Sequence, residues 1–167
     1  DALQRIGKIK DVPVKETIGI KDPWNYRNKM QFPVGMIKDS LAIGFYAPRS
    51  HNIIDMNQCC IHHPVNDKII KVMRDYINRF RVPPYDEQRH EGIIRHIVSK
   101  VGFKTGQVMV VIVTNGRKFP NKDKLIEMLR ENIPEITGIV QNINSKQTNV
   151  ILGEENIVLW GQDHIVD

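Results

Sequence analysis

Ile93-Ile94-Arg95-His96-Ile97-Val98-Ser99-Lys100-Val101-Gly102-Phe103, then Lys104-Thr105-Gly106, then Gln107-Val108-Met109-Val110-Val111-Ile112-Val113-Thr114 is the stretch that decides the fold. Two runs rich in β-branched residues flank a tight, glycine-containing turn, the signature of an antiparallel hairpin. Val108 to Val113 is apolar without a break. A strand with no polar alternation is buried on both faces, so this one belongs in the middle of a sheet. The same run is the longest apolar stretch of the chain and falls far short of the ~20 residues a membrane span needs.

Downstream, Asn115-Gly116 ends the second strand. Asn121 is placed to cap a helix from Lys122 to about Asn132, with Leu125, Met128 and Leu129 inward and Pro134 closing it. Ile136 to Asn144 reads as a further strand. Val150–Leu152 and Ile157–Trp160 read as a closing hairpin around Gly153-Glu154-Glu155-Asn156. Upstream, Pro64 opens a helix to about Arg81, with Ile69, Met73, Tyr76, Ile77 and Phe80 as its apolar stripe and Pro83-Pro84 as its stop. Residues 25–34 form a strand ending at Pro33, and Leu41–Tyr46 its hairpin partner. Ile53–Met56 is a short third strand. Residues 1–10 read as the tail of a helix, with Leu3, Ile6 and Ile9 three apart and Gly7 near its end.

Strands joined by short turns pair antiparallel, and helices cover one face of such a sheet. The expected fold is therefore α+β, an antiparallel sheet with helices packed on it, and residues 1–167 form a single domain. There is no internal repeat and no low-complexity linker.

With 24 basic against 19 acidic residues the chain carries +5, a balance that favours polyanionic partners such as nucleic acid. The N-terminus has neither an initiator Met nor a charged-then-apolar leader. Both suit an internal segment of a longer cytoplasmic protein. Cys59 and Cys60 are adjacent, a spacing poorly suited to a disulfide, which points to a reducing compartment.

Enzyme motifs are missing. The glycines lack phosphate-loop spacing, and no G-x-S-x-G elbow is present. Cys59, Cys60, His62 and His63 crowd into five positions, whereas zinc ligands come in pairs separated by a dozen or more residues. The two histidines are read as polar residues at a helix N-terminus. Arg95, in mid-strand, is expected at a rim with a partner or exposed, because an unpaired buried charge is costly. Trp24 to Lys29 is more informative. It interleaves Trp24 and Tyr26 with Arg27, Asn28, Lys29 and Gln31, and rings beside cations are how single-stranded RNA is bound. Phe45, Tyr46, Arg49, Ser50 and His51 add to it from the next strand. A solvent-facing hairpin with two rings on the core would carry the same pattern.

Pro23-Trp24-Asn25-Tyr26-Arg27-Asn28-Lys29-Met30-Gln31-Phe32 resembles the W-x-Y-R-N-K strand of the bacterial RNA (uracil-5-)methyltransferase family. Gly44-Phe45-Tyr46, Ser50-His51, Ile54-Asp55-Met56-Asn57-Gln58-Cys59, Val113-Thr114-Asn115-Gly116 and Ile139-Val140-Gln141-Asn142-Ile143-Asn144 are similar to its later blocks. The resemblance covers the whole chain and is nearest to members that methylate 23S ribosomal RNA, with transfer-RNA members as near relatives. It implies a central domain between an N-terminal RNA-binding barrel and a C-terminal S-adenosylmethionine domain that holds the catalytic groups, all outside this sequence. It implies RNA as partner, 23S ribosomal RNA first, with no DNA and no membrane. In the family the target uridine leaves its stack for attack at C6, at a cost of a few kcal/mol that protein contacts offset. Tyr26, Arg27, Lys29, Gln31, Phe45, Arg49 and His51 are the residues the resemblance and residue type assign to RNA contact. No catalytic residue is expected in this chain. Many members hold a [4Fe-4S] cluster through three upstream cysteines and one later cysteine after a glutamine. Cys59, after Gln58, takes that later position, so it reads as an orphaned fourth ligand. No cofactor is expected on this chain alone, while the parent is expected to use S-adenosylmethionine and a [4Fe-4S] cluster. A stand-alone RNA-binding module is the competing reading.

Overall fold

The computed structural model describes residues 2–167. The decisive hairpin forms as read. β4 (Ile94–Val101) and β5 (Val108–Thr114) pair antiparallel from Ile94↔Thr114 to Val101↔Val108. Gly106, at φ +72°, donates its N–H to the Gly102 carbonyl at 2.8 Å to close the turn, a conformation that glycine adopts without strain.

β5 and β6 (Ile136–Ile143) run parallel, so the sheet is not antiparallel throughout. Parallel neighbours need a crossover of about a dozen residues or more, and the segment containing α2 (Lys122–Asn132) supplies it. β7 (Glu155–Gly161) returns antiparallel on β6. On the other flank β1 (Lys29–Ile37) pairs β4 through residues 29–33 and β2 (Ser40–Tyr46) through 34–37, with β3 (Ile53–Asp55) outside β2. One seven-stranded sheet results, in the order β3-β2-β1-β4-β5-β6-β7.

Both helices lie on one face of it. Ile69, Met73 and Tyr76 of α1 (Val65–Phe80) and Leu125 and Leu129 of α2 bury with Met30, Phe32, Val34, Ile97, Val110, Ile112 and Ile139 in one cluster. Fully burying each such side chain is worth about 1.5–3 kcal/mol. The Ser99 hydroxyl, bonded to Asn66 at 2.5 Å, ties α1 to β4 inside this layer. Alternation sends Gln31, Val98, Met109, Val111, Val140 and Val158 to the opposite face, which no helix covers.

Several expectations change. The first strand starts at Lys29 rather than 25 and runs past Pro33 to Ile37. Pro33 has no N–H to give a ladder, and it sits where β1 stops pairing with β4 and begins pairing with β2. The N-terminal helix shrinks to a π-helical turn, Ala2–Ile6, with Leu3, Ile6 and Ile9 all exposed; Asp1 lies outside the described residues. Val150–Leu152 is not a strand, because Asn144 Nδ2 takes the Val150 and Ile151 carbonyls at 2.7 and 3.1 Å. Asn121 does start α2, but at φ 52° and with no side-chain cap bond. Its carbonyl, not its amide, receives the Lys124 and Leu125 N–H groups. No helix among the described residues is long and apolar enough to cross a membrane.

Candidate nucleic-acid interface

The segment before β1 is fixed from both sides. Arg27 donates its N–H to Ile61 at 2.9 Å and accepts from His63 at 3.3 Å, while Asn28 accepts from Val101 at 2.9 Å. Asn25, at φ 53°, bonds Cys60. Held this way, the stretch presents rings and cations together. Trp24 is 57% exposed, Tyr26 49%, and Phe103, just past β4, 50%. The Phe103 ring stands 5.7 Å from His63, near perpendicular. Continued past Asn28/Val101, the β1–β4 register runs Tyr26 alongside Phe103. Arg27, Lys29, Lys100 and Lys104 are exposed at the same end of the sheet, Lys29 and Lys100 on the face opposite to the Tyr26–Phe103 register, and among the described residues none of the four makes an ion pair.

A second polar group sits farther along the same sheet. His51 Nδ1 is 2.7 Å from Glu87, and the Tyr46 hydroxyl donates to the other Glu87 oxygen at 2.6 Å. Burial, then the bond to Glu87, pushes the Tyr46 phenol well above its ordinary range. The Tyr46 ring meets the edge of His96 at 6.5 Å. His96 pairs across from Pro33 on the uncovered face. Burial and the neighbouring Arg95 hold its imidazole down at about 4, and its Nδ1 is buried without a partner. Arg49, at φ 59°, is exposed in the turn that leads to His51. Lys29 and Pro33 are separated by four residues of strand, roughly 13 Å at ~3.3 Å per residue. Lys29 and Gln31 thus share one open face with the Tyr46–His51–Glu87 group, and Gln31 lies between. Phe45 goes elsewhere. It is half-buried on the helix side, edge-on to Phe32 at 4.7 Å.

Arg95 is neither at a rim nor exposed. It is 3% exposed, with its guanidinium 4.3 Å over the Tyr85 ring. It donates to the carbonyls of Asn144 and Lys146 at 2.7 Å each and of Thr148 at 3.3 Å. Carbonyl oxygens and an aromatic face replace the expected counter-charge. Two buried amides brace the same region. Asn142 both donates to the Gly153 carbonyl and accepts from its N–H, and Gln141 donates to Thr114 and to the Arg117 carbonyl. The loop so held lines a cavity of about 500 Å³ between Asn144, Lys146, Thr148 and Leu152. Lys146–Glu154 and Arg117–Glu155 ion pairs close its charges internally.

Cys59 and Cys60 are both free thiols. The described residues hold no group of three or more His, Cys, Asp or Glu able to take a metal. An iron–sulfur cluster normally needs four thiolates, so Cys59 by itself does not make a cluster site. His62 is not a surface residue at the helix start. It is 2% exposed between Phe32 and Phe45, and burial, then Arg27, holds it neutral by lowering its pKa.

Of the residues expected to touch RNA, Tyr26, Arg27 and Lys29 follow one another at one end of the sheet, with Lys29 on the helix-free face and Tyr26, by alternation, on the other, while Arg49 and His51 lie at the far end. Lys100, Phe103, Lys104 and Glu87 were not singled out in the sequence. The β1–β4 register, between strands distant in sequence, is what places Lys100 beside Lys29, and no local signal reaches Lys104 or Glu87.

No family model matches the chain. Over all 167 of its residues it is 51% identical to an uncharacterized RNA methyltransferase of Clostridium tetani and 48% identical to one of Halalkalibacterium halodurans. The chain is thus homologous throughout to proteins named as RNA methyltransferases, and it spans 36% of the length of each of these curated relatives. Its fold is that of part of the Pyrococcus abyssi tRNA (uracil-54, C5)-methyltransferase crystallised with S-adenosyl-L-homocysteine. The TM-score is 0.69 at 22% identity, over 87% of this chain and 33% of that one.

Proposed function

We propose that this chain is the RNA-recognition domain of an S-adenosylmethionine-dependent enzyme that methylates C5 of a uridine in 23S ribosomal RNA. It orients the RNA for a catalytic domain outside these 167 residues and is inactive by itself. The observation that carries the reading is the end of the sheet that exposes Trp24, Tyr26 and Phe103 together with Arg27, Lys29, Lys100 and Lys104, cations without an ion pair among the described residues, in a chain homologous throughout to RNA methyltransferases.

Each part has a physical task. Arg27 and Lys29 neutralise backbone phosphates and set the register of the strand without reading its sequence. Tyr26 offers a ring face for a base, and stacking of this kind is worth about 1–3 kcal/mol per base. That offsets the few kcal/mol needed to take a uridine out of its stack. Gln31 supplies an amide for a base edge or ribose on the open face, and Arg49 and His51 meet the RNA at the far end. Phe45 contributes from beneath, by fixing Phe32 under β1. S-adenosylmethionine supplies the methyl group when bound to the parent. Cys59 is read as the fourth ligand of a [4Fe-4S] cluster whose other thiolates lie elsewhere in that parent. Anaerobic reconstitution of the 167-residue chain is then expected to give no visible charge-transfer band.

A transfer-RNA target is the second reading, favoured by the activity named for the Pyrococcus abyssi protein. The deciding experiment incubates the full-length parent with labelled S-adenosylmethionine and, separately, unmodified 23S ribosomal RNA and transfer RNA, then identifies the labelled nucleoside. 5-Methyluridine in ribosomal RNA supports the first reading, and in transfer RNA the second. Label in neither removes the enzyme and leaves a binding module.

A further inference from the structure

Lys29 and Lys100 face each other directly across the β1–β4 ladder. The neighbouring pair, Asn28/Val101, is joined by the bond from the Val101 N–H to the Asn28 carbonyl at 2.9 Å. Antiparallel pairs alternate, so Lys29/Lys100 is a non-hydrogen-bonded pair. That is the kind with the closer side chains, Cα atoms about 4.5 Å apart. Like charges placed so destabilise a sheet. Elsewhere on this surface cations lie beside acids, as in Arg74–Asp55, Arg117–Glu155 and Lys146–Glu154. The two lysines have no such partner among the described residues. They also open onto the sheet face that no helix covers. In the next row, Gln31–Val98–Val111, the partly exposed Gln31 amide adjoins the buried Val98, and the buried Met109 pairs with Lys100 on the other side.

We infer that Lys29 and Lys100 together bind one RNA backbone phosphate, with the partly exposed Gln31 amide beside them meeting the attached sugar. The anion removes the repulsion that the free protein carries, so folding and binding respond to the pair with opposite signs. Lys100 thereby becomes an RNA-binding residue, contributed by a strand distant in sequence from the Trp24–Lys29 segment. The inference rests on the proposed RNA-recognition role and specifies where one phosphate sits.

The test uses the full-length protein and a fluorescein-labelled, single-stranded, uridine-rich RNA. Affinity is read by anisotropy across a salt series, and thermal stability is measured without RNA. For Lys29→Gln and Lys100→Gln the expected result is several-fold weaker binding, with the salt slope smaller by ~0.7, the share of one phosphate on a single strand. The double variant should bind hardly more weakly than either single one, because both lysines serve the same phosphate. Each single variant should melt at or above the wild-type temperature. Lys100→Arg, which keeps the charge, should restore most of the affinity. Single variants that bind with unchanged affinity and slope overturn the inference while leaving the RNA-recognition reading in place. So do affinity decreases that add fully in the double variant. A wild-type protein with no salt-dependent RNA affinity overturns that reading and this site with it.

Discussion

A charge in a protein interior is tolerated only where oriented dipoles replace the water that hydrated it, and Arg95 meets that condition with three backbone carbonyls and a tyrosine face. Its sequence neighbours could not have disclosed this. The carbonyls lie 49, 51 and 53 residues downstream, and no spacing rule connects a mid-strand arginine to a loop that far away. Arg95→Met keeps much of the side-chain volume but leaves the Asn144, Lys146 and Thr148 carbonyls without their donor. Since hydrogen bonds to a charged group are worth about 1.5–3 kcal/mol each, a loss of about 3 kcal/mol in urea unfolding is expected. Protease cleavage within residues 145–150 should also become faster. Unchanged stability would mean that the loop stands without its clamp. Tyr76 gives a smaller effect of the same kind. Its buried hydroxyl reaches the Pro120 carbonyl, so Tyr76→Phe should cost about 1 kcal/mol in the same assay. Phe45 marks a different case, a residue assigned to RNA contact that packs on the helix side instead. Leu41, Ile43 and Phe45 alternate along β2, and Ile43 is wholly buried in the helix-side cluster. Strand periodicity, once Ile43 is known to face the helices, puts the Phe45 ring on that side too.

At the scale of elements, the hairpin and both helices were legible because each is encoded locally, by an unbroken apolar run, a glycine turn or a helical stripe ended by proline. What was not legible depends on partners chosen across the chain. The parallel β5–β6 pair follows from α2 crossing over, and the true span of β1 follows from its change of neighbour at Pro33. The β6–β7 connection depends on side chains in place of a ladder. Asn142 holds Gly153 by both its N–H and its carbonyl, at 2.7 and 3.0 Å. A Cβ on Gly153 would run into the Ile143 carbonyl. Gly153→Ala must therefore shift backbone and loosen both bonds, which places it among substitutions that cost about 1–3 kcal/mol. Hydrogen exchange should show the effect as faster exchange across 145–154, with β4 and β5 protected as before. Faster exchange throughout the sheet would instead show that this connection and the sheet unfold as one unit.

For the molecule as a whole, the helix-covered and helix-free faces of the sheet each hold one buried histidine whose pKa is lowered, and both contribute to its acid sensitivity. His62 lies among Phe32 and Phe45 on the helix side, and its pKa is lowered by burial and by Arg27. His96 lies on the other face and titrates at about 4, lowered by burial and Arg95 against the opposing pull of Glu87. An unfolded chain protonates its histidines near pH 6.5, and the folded one refuses the proton until lower pH. These groups therefore leave stability unchanged above pH ~7 and remove it as the pH falls through ~6.5, the His96 share levelling off once pH passes its folded value. At about 1.4 kcal/mol per unit of pKa, the His96 share is at most about 3.5 kcal/mol. Urea midpoints taken from neutral to acid pH should fall over that window, and His96→Leu should flatten the fall while His62 preserves a remnant of it. If wild type and His96→Leu lose stability in parallel, the acid limb belongs to other groups and the buried imidazole at the end of the open face titrates no differently from one in water.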